Sequence, residues 1–118
     1  QGQAGGQQVI PSAVAQRILE PRNRELFNRR YQDSWYDDVG YSYHDQWWTW
    51  NNPHRANSAM GIHGQHIYLD PVTWTVIVVQ SSHPASDSDV HELDAPELFH
   101  ALCCYLAGDG RVGMNSAT

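Results

Sequence analysis

Residues Ser58–Gln80 read SAMGIHGQHIYLDPVTWTVIVVQ, and this stretch decides the fold. Asp70 and Pro71 begin a tight turn, because Asp suits the first position of a β-turn and Pro presets φ at the second. The run Trp74–Val79 after the turn is aromatic and β-branched, which favours a strand buried on both faces. In Gln65–Leu69, before the turn, polar and apolar side chains alternate less cleanly, as in a strand with one face more exposed to solvent. The stretch therefore predicts two antiparallel strands.

Two glycines frame an apolar residue and an imidazole where the first of these strands begins. Gly61, Ile62, His63 and Gly64 follow one another directly. Glycine weakens a strand, so it usually marks a bulge or a close approach of the backbone to another group. A backbone N–H exposed there could bind a ligand oxygen. A twisted start to the strand with no ligand would use the same residues, so both interpretations stay open.

Length, charge and composition narrow the class of protein. The chain has 118 residues, which fits one small domain over 1–118. Its formal charge of −6 makes a nucleic acid or an anionic membrane surface an unfavourable partner. No apolar run approaches the roughly 20 residues that span a bilayer. The adjacent Cys103 and Cys104 are typical of a helix core. The chain has no lysine, so a mechanism that needs a catalytic lysine is incomplete here.

The rest of the chain predicts helices at both ends of the sheet and one further strand. Hydrophobic spacing, capping residues and turn residues mark these elements. They are a polar, flexible start over Gln1–Gln8, a helix over Ser12–Glu20, a helical turn around Arg24–Tyr31, a strand over Gly40–Trp50, a loop over Ser81–His91, and a helix that begins at Asp94 and ends before Gly108. The predicted fold class is α+β, with an antiparallel sheet and a C-terminal helix packed on it.

Tryptophans dominate the strand predicted over Gly40–Trp50. If this strand is straight, Trp47 points to one face, and Trp48 and Trp50 point to the other. Such a strand can line a sugar site or an apolar ligand site, although aromatic side chains are more often core. A small carbohydrate-binding protein that uses these three tryptophans is therefore one hypothesis for the function.

Metal and nucleophile motifs are weak in this sequence. His63 and His66 would face opposite sides of a strand, and His83 and His91 lie in one acidic loop. None of them forms the close ligand pairs of a zinc site, so no metal or other cofactor is expected. A nucleophile elbow of the Gly-x-Ser-x-Gly kind is absent. The sequence shows no pair of carboxylates suited to glycoside hydrolysis, because its acidic pairs are predicted to lie in solvent-exposed loops.

Four segments in succession resemble one known family. They are Val9-Ile10-Pro11, Gly40-Tyr41-x-Tyr43-x-x-Gln46-Trp47-Trp48, Gly61-Ile62-His63-Gly64-Gln65-x-Ile67-Tyr68-Leu69-Asp70-Pro71, and Val76-Ile77-Val78-Val79-x-Ser81-Ser82. The chain resembles the C-terminal part of serine hydrolases with the class C β-lactamase and penicillin-binding fold. The branch most like it contains 6-aminohexanoate-dimer hydrolase and related esterases. The implied fold is therefore part of a β-lactamase or transpeptidase-like domain, and the implied substrate is a small amide or ester.

The resemblance assigns roles to individual residues. Gly61 matches the glycine of the family's third motif, and the backbone N–H of Ile62 would be one of two oxyanion donors. His63, Trp47 and Trp48 become candidates for contact with the substrate. The resemblance implies no metal and no other cofactor.

The chain departs from the family in one decisive respect. The nucleophile of the family is the Ser of a Ser-x-x-Lys motif, and this chain has no lysine. The segment Tyr41-Ser42-Tyr43 does not serve as the family's tyrosine motif. We therefore expect a C-terminal portion of a hydrolase that is inactive alone, whose partner is the N-terminal half of the same protein. A non-catalytic binding or assembly module of the same ancestry is the alternative.

Overall fold

A five-stranded antiparallel sheet carries the fold, and strands that follow one another in sequence are neighbours in space. The computed structural model describes residues 1–87 and 89–108, except the side chains of residues 89–93. The strands, in the order β3-β4-β5-β6-β7, are β3 Gly40–His44, β4 Trp47–Trp50, β5 Asn57–Gly61, β6 Gln65–Asp70 and β7 Thr75–Val79. Each strand of this sheet is therefore antiparallel to the strand before it, and the turn predicted at Asp70 and Pro71 joins β6 to β7.

Within the described residues, three helices and a small hairpin accompany the sheet. They are the hairpin of β1 Gln3–Ala4 with β2 Gln7–Gln8, then α1 Ser12–Leu19, α2 Arg24–Tyr31 and α3 Asp89–Leu106. Helix α3 covers one face of the sheet, where the ring of Phe99 packs 5.3 Å from that of Tyr68. Trp50, Ala56 and Cys103 complete this core. The α+β class with a C-terminal helix on an antiparallel sheet is confirmed.

The sheet has two more strands than the three that the sequence predicts. Asp45 and Gln46 have φ of +50° and +69° and split the predicted Gly40–Trp50 strand into β3 and β4. Positive φ at both central residues is the geometry of a two-residue hairpin turn. The turn pairs Tyr43 with Trp48, so these rings share a face and contact each other at 4.7 Å. A short 3₁₀ turn over Ile62–Gly64 separates β6 from β5, a strand that the sequence did not predict.

The ends of the chain also differ from the prediction. Residues predicted to be flexible, Gln1–Gln8, contain the hairpin of β1 and β2. Helix α3 begins at Asp89, so Asp94 is inside the helix and Pro96 follows it there. A cap signal in the sequence marks a suitable start, but it does not exclude a further turn before it. The predicted stop is confirmed, because Gly108 has φ +72° directly after the last turn.

One face of the sheet leaves apolar side chains exposed. The prediction that β7 is buried on both faces is wrong, because Val76 and Val78 are each 61% exposed. Ile67, on the neighbouring strand and paired with Val78, is 42% exposed. Helix α3 covers only the opposite face, where Ile77 and Val79 pack on the core. An apolar surface of adjoining side chains therefore lies along β6 and the edge strand β7.

Candidate active-site edge of the sheet

The direction of the Ile62 N–H follows from the pairing of β5. The N–H of Trp50 donates to the carbonyl of Ala56 at 2.9 Å, so even-numbered residues of β5 direct their peptide groups toward β4. Odd-numbered residues, including Gly61 opposite Gln65, direct theirs toward β6. In a trans peptide the C=O of Gly61 and the N–H of Ile62 point in opposite directions. The N–H of Ile62 therefore points away from β6.

On that side of β5 the ladder stops early. β4 pairs with β5 only at Trp48 with Ser58 and at Thr49 with Asn57. Among the hydrogen bonds of the described residues outside the regular ladders, none has the N–H of Ile62 as donor. Ile62 is also 68% exposed, although its side chain is apolar. An N–H donor is thus left open to a ligand oxygen at the rim of the sheet.

The turn that carries this N–H is held in place from the other side. The N–H of His63 donates to the carbonyl of Ser86 at 2.8 Å, and the N–H of His83 donates to the carbonyl of His63 at 3.1 Å. His63 itself has φ +61° and ψ +25°, a left-handed conformation that costs free energy in a non-glycine residue. The contacts with the segment after β7 offset that cost and fix the turn.

Gln65 and Ser81 complete the clamp. The side chain of Gln65 accepts a hydrogen bond from the N–H of Ser81 at 3.2 Å and donates to its carbonyl. The hydroxyl of Ser81 reaches back to the carbonyls of His63 and Gly64 at 2.8 and 2.7 Å. Gly64 has φ +84°, and a Cβ there would lie 2.5 Å from Ser81 Oγ. The Gly-Ile-His-Gly-Gln motif and Ser81 therefore form one structural unit.

His63 has one ring nitrogen committed to the backbone. Its Nδ1 lies 2.7 Å from the carbonyl oxygen of His83. A carbonyl can only accept, so Nδ1 carries the proton and donates, and Nε2 of the neutral ring is the acceptor. The contact orients the imidazole and fixes its tautomer. The predicted contact between His63 and a substrate would therefore use Nε2.

The tryptophans predicted to contact ligand do not lie together. Trp48 and Trp50 are on the face covered by α3, whereas Trp47, one residue before Trp48 in β4, points to the opposite face. Trp48 is stacked on Tyr36 with ring centroids 4.5 Å apart. Trp50 is 1% exposed and its Nε1–H donates to Ser58 Oγ at 2.7 Å. A three-tryptophan sugar platform is therefore excluded, and Trp47 and Trp48 cannot line one pocket side by side.

A second polar constellation, absent from the sequence-based candidates, lies at the other end of β5. Asp70 has a fully buried carboxylate that accepts a hydrogen bond from His54 at 2.7 Å. Burial raises the pKa of this carboxyl, but hydrogen bonds from His54 and from the N–H groups of Thr73 and Val72 outweigh burial and lower it. His100 packs on His54. Burial and the neighbouring His54 lower the pKa of His100.

The sequence offered one signal for this constellation. Cys104 Sγ lies 3.8 Å from His100 Nε2 beside it. His100 and Cys104 are four residues apart within a predicted helix, and that spacing places both side chains on one face. His54 and Asp70 gave no signal, because a loop and a strand end far apart in sequence bring them together. Of the two histidines in the acidic loop, His83 donates its backbone N–H to the carbonyl of His63. The side chain of His91 lies outside the described residues.

Comparisons with known proteins agree with the motif resemblance. No family model matches the chain. The chain is 36% identical over 87 residues to a 6-aminohexanoate-dimer hydrolase of Paenarthrobacter ureafaciens. The aligned segment covers 74% of this chain and 22% of that protein. A solved structure described as a "putative 6-aminohexanoate-dimer hydrolase from Bacillus anthracis" superposes with a TM-score of 0.65 at 26% identity, over 89% of this chain and 25% of the other.

The chain is thus similar, in sequence and in fold, to part of proteins that are named as amide hydrolases. Both relatives carry the name 6-aminohexanoate-dimer hydrolase, the same name that the motif resemblance indicated. The chain spans about a fifth of the length of the curated relative that it matches. In the described part of the chain, α3 and the other helices are too short or too polar to cross a membrane.

Proposed function

We propose that this chain forms the sheet portion of a serine hydrolase that cleaves amide or ester bonds, within a β-lactamase or transpeptidase-like domain. The backbone N–H of Ile62 donates to the oxyanion that develops on the substrate carbonyl. Gly61 permits the close approach of the substrate to this part of the backbone. The nucleophile and its base are supplied by polypeptide outside these 118 residues, because a Ser-x-x-Lys motif requires a lysine.

The observation that carries the proposal is the open N–H of Ile62 on a clamped turn. An oxyanion donor is effective when it is fixed in advance and does not reorganise during the reaction. The contacts from Ser81, His83 and Ser86 to the turn supply that rigidity. The position also matches the motif glycine of the family. The same geometry suits the edge of a strand at which an amide substrate aligns.

The exposed apolar face supports the second part of the proposal, the need for further polypeptide. Ile67, Val76 and Val78 adjoin one another along β6 and β7. The β7 strand is also a sheet edge, and long exposed apolar edges promote association. We propose that the other portion of the hydrolase covers this face. The shares of 22% and 25% of the two relatives leave ample chain for that role.

Trp47 lies on this same exposed face and Trp48 does not. Of the two tryptophans, Trp47 is therefore the one that remains a candidate for contact with substrate or with the covering polypeptide. His63 keeps its proposed contact through Nε2, because Nδ1 is committed to His83. Trp48 instead packs the segment between α2 and β3 against the sheet through its stacking on Tyr36.

A chimera tests the proposal directly. The segment of the Paenarthrobacter ureafaciens hydrolase that aligns with this chain is replaced by this chain, and hydrolysis of 6-aminohexanoate dimer, p-nitrophenyl butyrate and nitrocefin is measured. We expect turnover of at least one of these compounds by the chimera, and none by the 118-residue chain alone. The hydrolase with the segment deleted is the negative control.

Two results would count against the proposal. Substantial turnover by the isolated chain would show that the nucleophile lies within it. A folded chimera without activity on any amide or ester, together with a monodisperse isolated chain, would instead favour the non-catalytic binding module. Circular dichroism and size-exclusion chromatography of both proteins separate these outcomes from simple misfolding.

A further inference from the structure

Three side chains with metal-ligand chemistry converge beside α3, away from the Ile62 edge. They are His54, His100 and Cys104, whose nitrogen and sulfur atoms lie within 4.8 Å of one another. His54 comes from the loop between β4 and β5, and the other two lie on one face of α3. β5 leads from this loop to Gly61, a distance of roughly 13 Å at the usual rise of a strand. The cluster is thus separate from the proposed oxyanion donor.

The spacing of the three groups suits a small soft cation. Cys104 Sγ lies 3.8 Å from His100 Nε2, and the two imidazole rings are 4.5 Å apart at 82°. Nitrogen and sulfur ligands of a tetrahedral zinc ion are separated by about 3.3–3.6 Å at ordinary bond lengths. Small rotations of the side chains would therefore close the cluster around an ion.

Asp70 orients one of the ligands from behind. Its buried carboxylate lies 2.7 Å from His54 Nδ1, so Nε2 is the nitrogen of that ring which can bind a metal. The other carboxylate oxygen accepts the N–H groups of Val72 and Thr73 at 2.9 and 3.0 Å. A carboxylate that holds the far nitrogen of a ligating histidine is the usual support of a metal site.

His100 gives a second, independent observation. Its Nδ1 is buried and has no hydrogen-bond partner in the described part of the chain. A buried polar atom without a partner costs free energy. A cation bound at Nδ1 would satisfy that atom, and one bound at Nε2 would replace a weak contact with the thiol. Cys104 is itself only 8% exposed, so the ion would sit in a shielded site.

We propose that His54, His100 and Cys104 bind a zinc-like divalent cation through two imidazole nitrogens and one thiolate, with water at the fourth position. On binding, the Cys104 thiol releases its proton to solvent and its sulfur bonds to the metal, while both imidazoles bind in their neutral form. The ion would join the β4–β5 loop to α3. This inference stands independently of the proposed hydrolase function, because it uses none of the residues of the Ile62 turn.

Cobalt(II) is the probe, since it occupies zinc sites and reports its ligands by absorbance. We expect the chain to bind one Co²⁺ with visible bands of four-coordinate geometry and a near-ultraviolet sulfur-to-cobalt band. Zn²⁺ should displace the Co²⁺ and abolish the spectrum. The same titration in urea should give no such spectrum, because the three ligands come together only in the folded chain. If the isolated chain aggregates, the titration is carried out on the hydrolase chimera.

Substitutions identify the ligands. Cys104→Ser should abolish the sulfur band, and Cys104→Ser and His100→Gln should each weaken Co²⁺ binding at least tenfold. Asp70→Asn should weaken binding about 10–100-fold while the sulfur band is kept. Cys103→Ala removes the neighbouring buried thiol and should leave the band in place. A band that survives Cys104→Ser, that is lost equally in Cys103→Ala, or that persists in urea would overturn the proposal, as would absence of Co²⁺ and Zn²⁺ binding to the folded protein.

Discussion

The hydroxyl of Ser81 lies 2.7 Å from the carbonyl oxygen of Gly64, in the turn that presents the N–H of Ile62. The same oxygen lies 2.8 Å from the carbonyl of His63, so the one hydroxyl proton is shared between two acceptors. Ser81, which follows β7, thus fixes the turn that precedes β6. This relationship links the rigidity of the proposed oxyanion donor to a side chain far from it in sequence.

Removal of this hydroxyl should loosen the turn. We expect Ser81→Ala to lower the free energy of unfolding by about 1–2 kcal/mol, the usual cost of a lost hydrogen bond that leaves a partly buried acceptor. Hydrogen exchange should show faster exchange of the His63 amide, which donates to Ser86. Ser82→Ala is the matched control, because Ser82 is the adjacent serine. Equal exchange rates in both variants would contradict the clamp.

Gly64 should not accept a side chain. Its φ of +84° disfavours other residues, and a Cβ would lie 2.5 Å from Ser81 Oγ and 2.6 Å from the ring of His83. We expect Gly64→Ala to destabilise the chain by roughly 1–3 kcal/mol, measured by denaturant titration. Gly5→Ala separates the two causes, since Gly5 has φ +57° but nothing within 4 Å of the added Cβ. A loss of unfolding free energy no larger than that of Gly5→Ala would show that the turn can move away from Ser81 and His83.

The backbone N–H of Ile62 can be removed by proline. Gly61 has φ −120° and ψ 161°, which the residue before a proline accepts, and Ile62 is the first residue of a 3₁₀ turn. In the active chimera, Ile62→Pro should lower kcat by about 10²–10³, the usual cost of one lost oxyanion donor.

The control for that variant is Ile62→Ala, which removes the exposed side chain but keeps the N–H. It should retain most of kcat, with any change confined to KM. If both variants lose activity alike, the side chain and not the N–H is what matters. If Ile62→Pro keeps full kcat while the protein folds normally, Ile62 is not an oxyanion donor.

The apolar face along β6 and β7 should matter for assembly more than for the fold of this chain. Val78 is 61% exposed, so Val78→Lys should change the free energy of unfolding of the isolated chain by less than about 0.5 kcal/mol. In the chimera it should reduce the yield of soluble active protein, because a buried lysine without a partner is costly. Val72→Lys, in the turn and 59% exposed, should be neutral in both settings. Equal tolerance of the two variants in the chimera would argue against the covering polypeptide.

Trp50 should behave as a core residue and not as a ligand platform. Trp50→Phe removes the donor to Ser58 Oγ and part of a buried ring, and we expect a loss of about 2–4 kcal/mol in unfolding free energy. Trp47→Phe, at a half-buried position on the opposite face, should cost less than about 1 kcal/mol. Thermal denaturation of the two variants measures the difference, and a reversal of this order would contradict the assignment of faces.

Local sequence patterns were enough to predict the class of fold and the position of the Gly-Ile-His-Gly-Gln motif. Pro and Gly at turns, β-branched runs and an apolar helix act over a few residues, so the helices over 12–19 and 24–31 and the hairpin of β6 and β7 are visible locally. The Gly-Ile-His-Gly-Gln segment carried the resemblance for the same reason. Asp45 and Gln46 hid their turn, because neither is the glycine that a two-residue hairpin usually employs.

Only the tertiary structure decided which side of the motif is open and which side chains meet. The direction of the Ile62 N–H depends on the register between β4 and β5, which no local pattern specifies. The exposed face of β7 depends on which side α3 covers. His54, Asp70 and His100 are brought together by chain segments distant in sequence, and contacts of that kind are set by the packing of the whole domain.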